Sequence, residues 1–363
     1  MWRGFAVAVL VVSAAVAAST ARTAERSANA FSRCSEVLSG GQATTAPDGS
    51  LVYAYGYHIN SVRPDGSHDR TLYTADEPVR FPAVSPDGRL IAFDKGDTLQ
   101  EVWVMNSDGS GAHFVASGTS PAFSPDGSHL AIGGAPTPYY HVDLDVIGVD
   151  GSGRRTLATD ALSDPRPAWS PDGRTIVFNG VQFATYLALK AINPDGTGER
   201  VFAGGQAASW STDGREVVYS QPGYDEIGAE VDVINADGSG FRHLVRPVRG
   251  FDANSPTWSR DGKKVTYDMS PIDAYPYTEG VFWQVDATGR GRHPLASDCR
   301  FGTGGADRIH GTPRRDTIYA LEGNDTIDVR RGGRDFVDCG RGRDVVRADP
   351  RDVIAGDCER RLR

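Results

Sequence analysis

Residues 82–115 read PAVSPDGRLIAFDKGDTLQEVWVMNSDGSGAHFV. Two Asp-Gly pairs, Asp87-Gly88 and Asp108-Gly109, separate four short apolar stretches at 82–84, 90–93, 102–105 and 113–115. Runs of this length, rich in β-branched and aromatic residues and bounded by turn residues, suit strands. Asp hydrogen-bonds the turn backbone, and Gly supplies the positive φ of a tight turn. The segment reads as strand, turn, strand, longer loop, strand, turn, strand: one four-stranded antiparallel meander.

The unit recurs. Ser85-Pro86-Asp87-Gly88 returns as Ser124-Pro125-Asp126-Gly127 and Ser170-Pro171-Asp172-Gly173, and in weaker form as Ala46-Pro47-Asp48-Gly49, Ser211-Thr212-Asp213-Gly214 and Ser259-Arg260-Asp261-Gly262. The Asp spacings are 39, 39, 46, 41 and 48 residues. A second turn lies in each unit, at Asp65, Asp108, Asp150, Asp195 and Asp237, becoming Thr288-Gly289 in the last. Six units of this size predict an all-β, six-bladed β-propeller over 42–298, in which each blade buries its faces against its neighbours. Phe123, Trp169, Trp210 and Trp258, beside the first turns, are expected in the inter-blade core.

Turns of the SPDG type followed by an apolar strand and a DGSG hairpin resemble the TolB-type, WD-repeat-like β-propeller across 42–298. The blades are also similar to those of prolyl-oligopeptidase-like enzymes and of pectate-fragment lyases, so the resemblance implies fold more than function. TolB itself carries an extra N-terminal domain and works with periplasmic lipoprotein partners, whereas here the repeats begin soon after an apolar leader.

From Gly302 the period shortens. Asp307, Asp316, Asp325, Asp335, Asp344 and Asp352 each open an Asp-x-(Ile/Val) triplet, spaced 9, 9, 10, 9 and 8 residues apart. This is similar to the nonapeptide of haemolysin-type (RTX-like) calcium-binding β-rolls, and implies a small parallel β-roll over 299–363 that binds Ca²⁺ weakly. Two nonapeptides make one coil, so alternate turns share an edge. One edge holds Asp307, Asp325 and Asp344, each two residues after Gly305, Gly323 and Gly342, and these six are the candidate metal site. The other edge, Asp316, Asp335 and Asp352, carries Arg314 and Pro350-Arg351 in its turns and is expected to hold Arg–Asp pairs. Residues 302–363 contain 12 acids and 13 bases, so a metal-free, Arg-neutralised roll is the alternative.

The chain has 363 residues, 43 Gly and a net charge of −9. Ordinary charged and apolar fractions exclude a disordered or collagen-like chain, and the acid excess argues against nucleic acid as a partner. Arg3 followed by the apolar run 5–18 and small residues reads as a signal peptide over 1–24, with a retained anchor as the alternative and 25–41 as a lead-in. Export makes disulfides the default for Cys34, Cys299, Cys339 and Cys358. Cys339 and Cys358 are 19 residues apart, about one coil, and coils lie about 4.8 Å apart, within disulfide reach. Cys34 and Cys299 flank the propeller and form the second expected pair.

Motifs for a GxSxG nucleophile, a HExxH zinc helix, a P-loop or a dinucleotide-binding GxGxxG helix are absent, and the eight His are read singly as strand or surface residues. The loops between second and third strands are rich in aromatics. Tyr139, Tyr140, His141, Phe183, Tyr186, Tyr224, Asp225, Asp273, Tyr275 and Tyr277 are expected on one propeller face, as a binding surface. The expectation is a secreted, periplasmic or cell-surface monomer, non-enzymatic, recognising a protein or envelope component. The alternatives are a propeller-type polysaccharide lyase or hydrolase, and a purely structural envelope-attached protein.

Overall fold

The computed structural model describes residues 42–362 apart from 64–67, 69, 98–99, 135–140, 163, 183–185, 224–227, 247–250, 272–280, 296–298, 303–304, 314–315, 322 and 331–332. The expected signal peptide, lead-in and Cys34 lie outside the described residues. The described chain is all-β, without helix, and no helix among those residues is long and apolar enough to cross a membrane.

Strands β1 (Gln42–Thr45), β2 (Leu51–Tyr55), β3 (His58–Val62) and β4 (Arg70–Thr74) form one antiparallel sheet in sequential order. A second contains β5 (Val79–Val84), β6 (Leu90–Lys95), β7 (Glu101–Asn106) and β8 (His113–Ser117). Next come β9 (Thr119–Phe123), β10 (His129–Gly133), β11 (His141–Gly148) and β12 (Arg155–Leu162), then β13 (Ala168–Trp169), β14 (Ile176–Gln182), β15 (Tyr186–Ile192) and β16 (Arg200–Gly204). Two further sheets are β17 (Gln206–Trp210) to β20 (Arg242–Val245), through β18 (Glu216–Gln221) and β19 (Glu230–Asn235), and β21 (Phe251–Trp258) to β24 (His293–Pro294), through β22 (Lys264–Pro271) and β23 (Val281–Asp286).

The repeated turn explains itself locally. Ser85 Oγ donates to Asp87 Oδ1 at 2.7 Å, the same oxygen accepts the Arg89 N–H at 3.0 Å, and Ser85 Oγ accepts the Leu90 N–H at 2.9 Å. The Ser–Asp bond recurs at 2.6–2.7 Å in Ser124–Asp126, Ser170–Asp172, Ser211–Asp213 and Ser259–Asp261. Ser and Asp are therefore the working pair, and the copies that lack Pro keep the turn. Hydrogen bonds from Ser124 and then Ser128 hold the Asp126 carboxyl down at about 2. In the second turn, Gly109 has φ +90°, and a Cβ there would lie 1.9 Å from the Leu72 carbonyl oxygen of β4. This hairpin tucks against the outer strand of the preceding sheet, an approach that requires Gly.

The first strands touch in sequence, β1 to β5, β9, β13, β17 and β21, and β21 returns to β1. The core lies between successive sheets. Phe123 packs with Ala92 and Val104 of one sheet and Leu130 and Ile132 of the next, and Trp258 with Val218 and Val233 on one side and Val265 and Tyr267 on the other. Asp145 and Lys190 share one register position, five residues ahead of the second-turn Asp150 and Asp195. Arg154 grips Asp145 Oδ2 through Nε at 2.9 Å and Nη2 at 2.6 Å, while Lys190 Nζ pairs with Glu199 Oε1 at 2.9 Å.

The sheet count differs from the expected six separate four-stranded blades. The antiparallel region has four four-stranded sheets and one of eight strands, because β12 pairs with β14 at Ala161 and Gly180. Ala161 is fully buried, and its partner Gly180 leaves room for the Lys190 side chain of β15, whose Cδ a Cβ there would approach to 2.8 Å.

In the tail, β25 (Cys299–Phe301), β27 (Thr317–Tyr319), β29 (Phe336–Asp338) and β31 (Val353–Ile354) form one parallel sheet. The second contains β26 (Arg308–His310), β28 (Thr326–Asp328), β30 (Val345–Arg347) and β32 (Arg360–Leu362). The middle residues Ile318, Ile327, Val337 and Val346 are fully buried in the roll core, as the triplet pattern requires. A Cys339–Cys358 disulfide joins neighbouring coils. Leu321, at φ +71°, packs instead against the propeller cluster of Trp258, Tyr267 and Trp283.

Candidate functional site

Tyr139, Tyr140, Phe183, Tyr224, Asp225, Asp273, Tyr275 and Tyr277 lie outside the described residues, and His141 and Tyr186 are described only as the first residues of β11 and β15. The expected Cys34–Cys299 pair also falls outside them.

What the structure does bring together lies at the same end of the strands as those loops. In each unit the first strand leads into the Ser-Asp turn and the second leaves it, so the start of one and the end of the other are neighbours. Four residues ahead of each turn Ser stands a non-Gly residue with left-handed backbone: Phe81 (φ 49°), Ser120 (52°), Arg166 (39°), Ala207 (55°) and Ser255 (49°). Such a conformation costs of order 1–3 kcal/mol per residue and persists only where surroundings enforce it. Here the neighbouring unit does so. Ala207 N–H donates to Asn179 Oδ1 at 2.8 Å, and Ser120 N–H to the Asp94 carboxylate.

Three of these positions meet across the ring. Arg166 Nη1 donates to Ser255 Oγ at 2.8 Å, and its guanidinium stands 4.9 Å from the Phe81 ring centroid. Arg166 Nε donates to Asp164 Oδ2 at 2.6 Å, and Ser120 Oγ to Asp164 Oδ1 at 2.7 Å. Thr119 Oγ1 donates to Asp94 Oδ2. Burial, with Asp164 adding repulsion, pushes Asp94 up to about 6 against the opposing Thr119 bond. Burial pushes Asp268 up to about 8, partly offset by a hydrogen bond from Ser270 and by Arg166, and Asp268 Oδ1 accepts no hydrogen bond. The result is a polar hub, rich in carboxyls and centred on one guanidinium. No motif announces it: aligned on the turn Ser, the position carries Phe, Ser, Arg, Ala and Ser, and backbone conformation is all they share.

The roll edges are built from Asp ladders. Asp307 N–H donates to Asp325 Oδ1 and Asp325 N–H to Asp344 Oδ1, both at 2.8 Å, and Asp344 N–H ends the series on Glu359 Oε2 at 2.8 Å. The other edge repeats it, with Asp316 N–H on Asp335 at 2.8 Å and Asp335 N–H on Asp352 at 3.0 Å. The edges differ in what remains. On the first, Asp325 Oδ2 and Asp344 Oδ2 are both buried with no hydrogen-bond donor. On the second only Asp335 Oδ2 is so placed; Asp316 is held by Thr312 Oγ1 at 3.0 Å and by Arg300 at 3.5 Å, and Asp352 Oδ2 accepts the Asp349 N–H at 2.6 Å. The expected Arg–Asp pairing therefore occurs at Asp316 through Arg300; Arg314 lies outside the described residues.

Glycine serves close approach as much as left-handed backbone. Gly323 has φ +145°, and a Cβ on it would sit 2.4 Å from the Gly305 carbonyl oxygen. On Gly342, whose φ is not left-handed, a Cβ would sit 1.4 Å from the Gly323 oxygen. Carbonyl oxygens and donor-less carboxylate oxygens along one edge are the hard ligands Ca²⁺ takes, so the residues present fit the ion. Burial, then the backbone bond and neighbouring Asp344 and Asp307, sets Asp325, with a net rise to about 6.

Residues 47–301 match the TolB beta propeller domain model, and the chain belongs to that family. Residues 301–333 match the RTX calcium-binding nonapeptide repeat, four copies. Among solved structures, TolB from Acinetobacter baumannii is 15% identical with a TM-score of 0.56 over 67% of this chain; the chain spans 62% of that protein's length. A putative TolB from Agrobacterium tumefaciens is 18% identical, TM-score 0.53, covering 62% of this chain and 83% of that one. A gluconolactonase from Xanthomonas campestris is 16% identical, TM-score 0.51, covering 68% and 85%. At these identities the likeness is one of fold.

Proposed function

We propose that this is an exported, non-enzymatic binding or scaffold protein, whose propeller recognises a protein or envelope component at the Arg166 end of its axis. Six units over 42–298 make the propeller, the eight-stranded sheet counting as two joined at Ala161–Gly180; the closed series of first strands supports this number. Residues 299–363 form the roll, which holds Ca²⁺ along Asp307, Asp325 and Asp344 with Gly305, Gly323 and Gly342. The observation that carries the reading is Arg166, reaching Ser255 and Phe81 of two other units with its side chain still 22% exposed. A pre-ordered cation rimmed by carboxyls suits recognition of a polar segment.

The test is affinity capture from an envelope extract by wild type, Arg166→Ala and the triple variant Tyr140→Ala, Tyr224→Ala, Tyr275→Ala. The reading expects a defined partner with wild type and its loss with both variants, while both keep the wild-type circular dichroism at 25 °C. Turnover of a lactone or polysaccharide substrate by wild type, abolished by Arg166→Ala, would replace it with an enzymatic one.

A further inference from the structure

The register position occupied by Asp145 and Lys190 is filled in the next unit by Asp232, five residues ahead of the second-turn Asp237. There the solution is different. Asp145 meets a permanent cation, Arg154, and Lys190 meets Glu199. Asp232 meets His243 across the β19–β20 pair, and a second carboxylate, Glu230, joins from the same face of β19. His243 Nδ1 lies 2.9 Å from Asp232 Oδ1 and 3.1 Å from Glu230 Oε2. One ring nitrogen carries at most one proton, so it cannot donate fully to both carboxylates. The Asp232 side chain is fully buried, and its Oδ2 has no hydrogen-bond partner. Two carboxylates and one imidazole nitrogen thus converge with a donor missing. Among the described residues, this is the one group of three His, Cys, Asp or Glu whose ligand atoms all lie within 4.8 Å of one another.

We propose that Glu230, Asp232 and His243 bind a divalent transition-metal ion of the Zn²⁺ type. One oxygen of each carboxylate and His243 Nδ1 are the ligands. Ligand atoms around tetrahedral zinc are about 3.3 Å apart, close to the 2.9 and 3.1 Å that separate His243 Nδ1 from the two carboxylate oxygens. The imidazole favours a transition metal over Ca²⁺, which takes oxygen ligands, and so separates this site from the roll. Three protein ligands leave a fourth position, and His243, with its side chain 30% exposed, opens it toward solvent. The ligands sit on the third and fourth strands of their sheet, away from the first strands and the Arg166 hub. The ion clamps β20 onto β19.

The experiment uses the full-length protein, stripped with chelator and kept in excess Ca²⁺ so that the roll is saturated. Zn²⁺ is titrated calorimetrically, and Co²⁺ is followed by its visible ligand-field bands. The expected result is a single zinc per chain, with zinc raising the melting temperature. His243→Ala and Glu230→Gln each weaken binding by about tenfold or more, while Asp325→Ala leaves zinc uptake unchanged. Glu230 is at the start of β19 and partly exposed, so its variant serves even if changes at buried Asp232 prevent folding. No zinc uptake by wild type at submillimolar concentration, or wild-type affinity in His243→Ala and Glu230→Gln, overturns the proposal.

Discussion

The carboxylate of Asp325 accepts the backbone N–H of Asp307, one coil earlier, at 2.8 Å, and leaves its other oxygen buried without a donor. The residue therefore serves the fold with one oxygen and is free to serve a cation with the other. Asp325→Ala should abolish most calcium uptake by the full chain, whereas Asp316→Ala, whose carboxylate Thr312 and Arg300 already hold, should retain it. Uptake of about two ions at ~10⁻⁴–10⁻³ M is expected. Calcium calorimetry on the two variants decides; equal loss from both would refute the one-edge assignment.

Removing Arg166 should be felt in binding more than in stability. Arg166→Ala deletes an ion pair and one hydrogen bond, a cost of about 1–3 kcal/mol. Strand closure by the remaining sheets persists, so circular dichroism should stay unchanged at 25 °C while partner capture is lost. A variant that captures normally would place recognition elsewhere.

Asp268 should make the propeller lose stability as pH rises from about 4 to about 8. Its folded carboxyl, at about 8, is raised above the unfolded value of 3.8, so the folded chain holds a proton that the unfolded chain releases. The stability contributed is complete below the unfolded value and is lost as pH rises through the folded one. Asp94, raised to about 6, acts with the same sign. Thermal melts at rising pH should show wild type losing stability toward pH 8, and Asp268→Asn losing less. Parallel pH profiles would argue against a buried protonated carboxyl.

Gly109 and Gly153 provide a matched pair. Both are left-handed, at φ +90° and +65°, yet only Gly109 faces a backbone oxygen at 1.9 Å, while Gly153 has nothing within 4 Å. Gly109→Ala should cost about 2–3 kcal/mol, from strain and overpacking together, and Gly153→Ala about 1 kcal/mol. Chemical denaturation of both variants measures the difference.

The Cys339–Cys358 bridge closes a loop with a sequence separation of 19, worth about 3 kcal/mol in chain entropy. Replacing both with Ser should expose residues 302–363 to proteolysis at denaturant concentrations where β1–β24 remain protected. Simultaneous loss of both regions would show that the roll and propeller unfold as one.

What could be read from the sequence was local in its physics. The Ser–Asp turns announce themselves because Ser85 and Asp87 fold their own neighbours, whatever stands between them. The buried middle residues of the roll triplets follow from period alone. The union of β12 with β14 does not, since it rests on a single pair, Ala161 and Gly180, where strands of two different units meet. The Arg166 hub escaped for a related reason: its positions share a backbone conformation and no residue type. His243 looked like a solitary strand residue because its partners, Glu230 and Asp232, lie across a strand pair, a spacing that a search for helical ligand pairs passes over.

The opposed pairs Asp145–Arg154 and Lys190–Glu199 have a consequence for a chain made of repeats. Neighbouring units of similar sequence can exchange an outer strand during folding, since the backbone hydrogen bonds of the exchanged form are just as good. Here an exchange between these two units would set Arg154 against Lys190 and Glu199 against Asp145, both at a largely buried register. Each misdocked strand would bury like charges side by side. The reversal of sign between adjacent units thus acts as an address, directing each outer strand to its own sheet while the protein is still assembling.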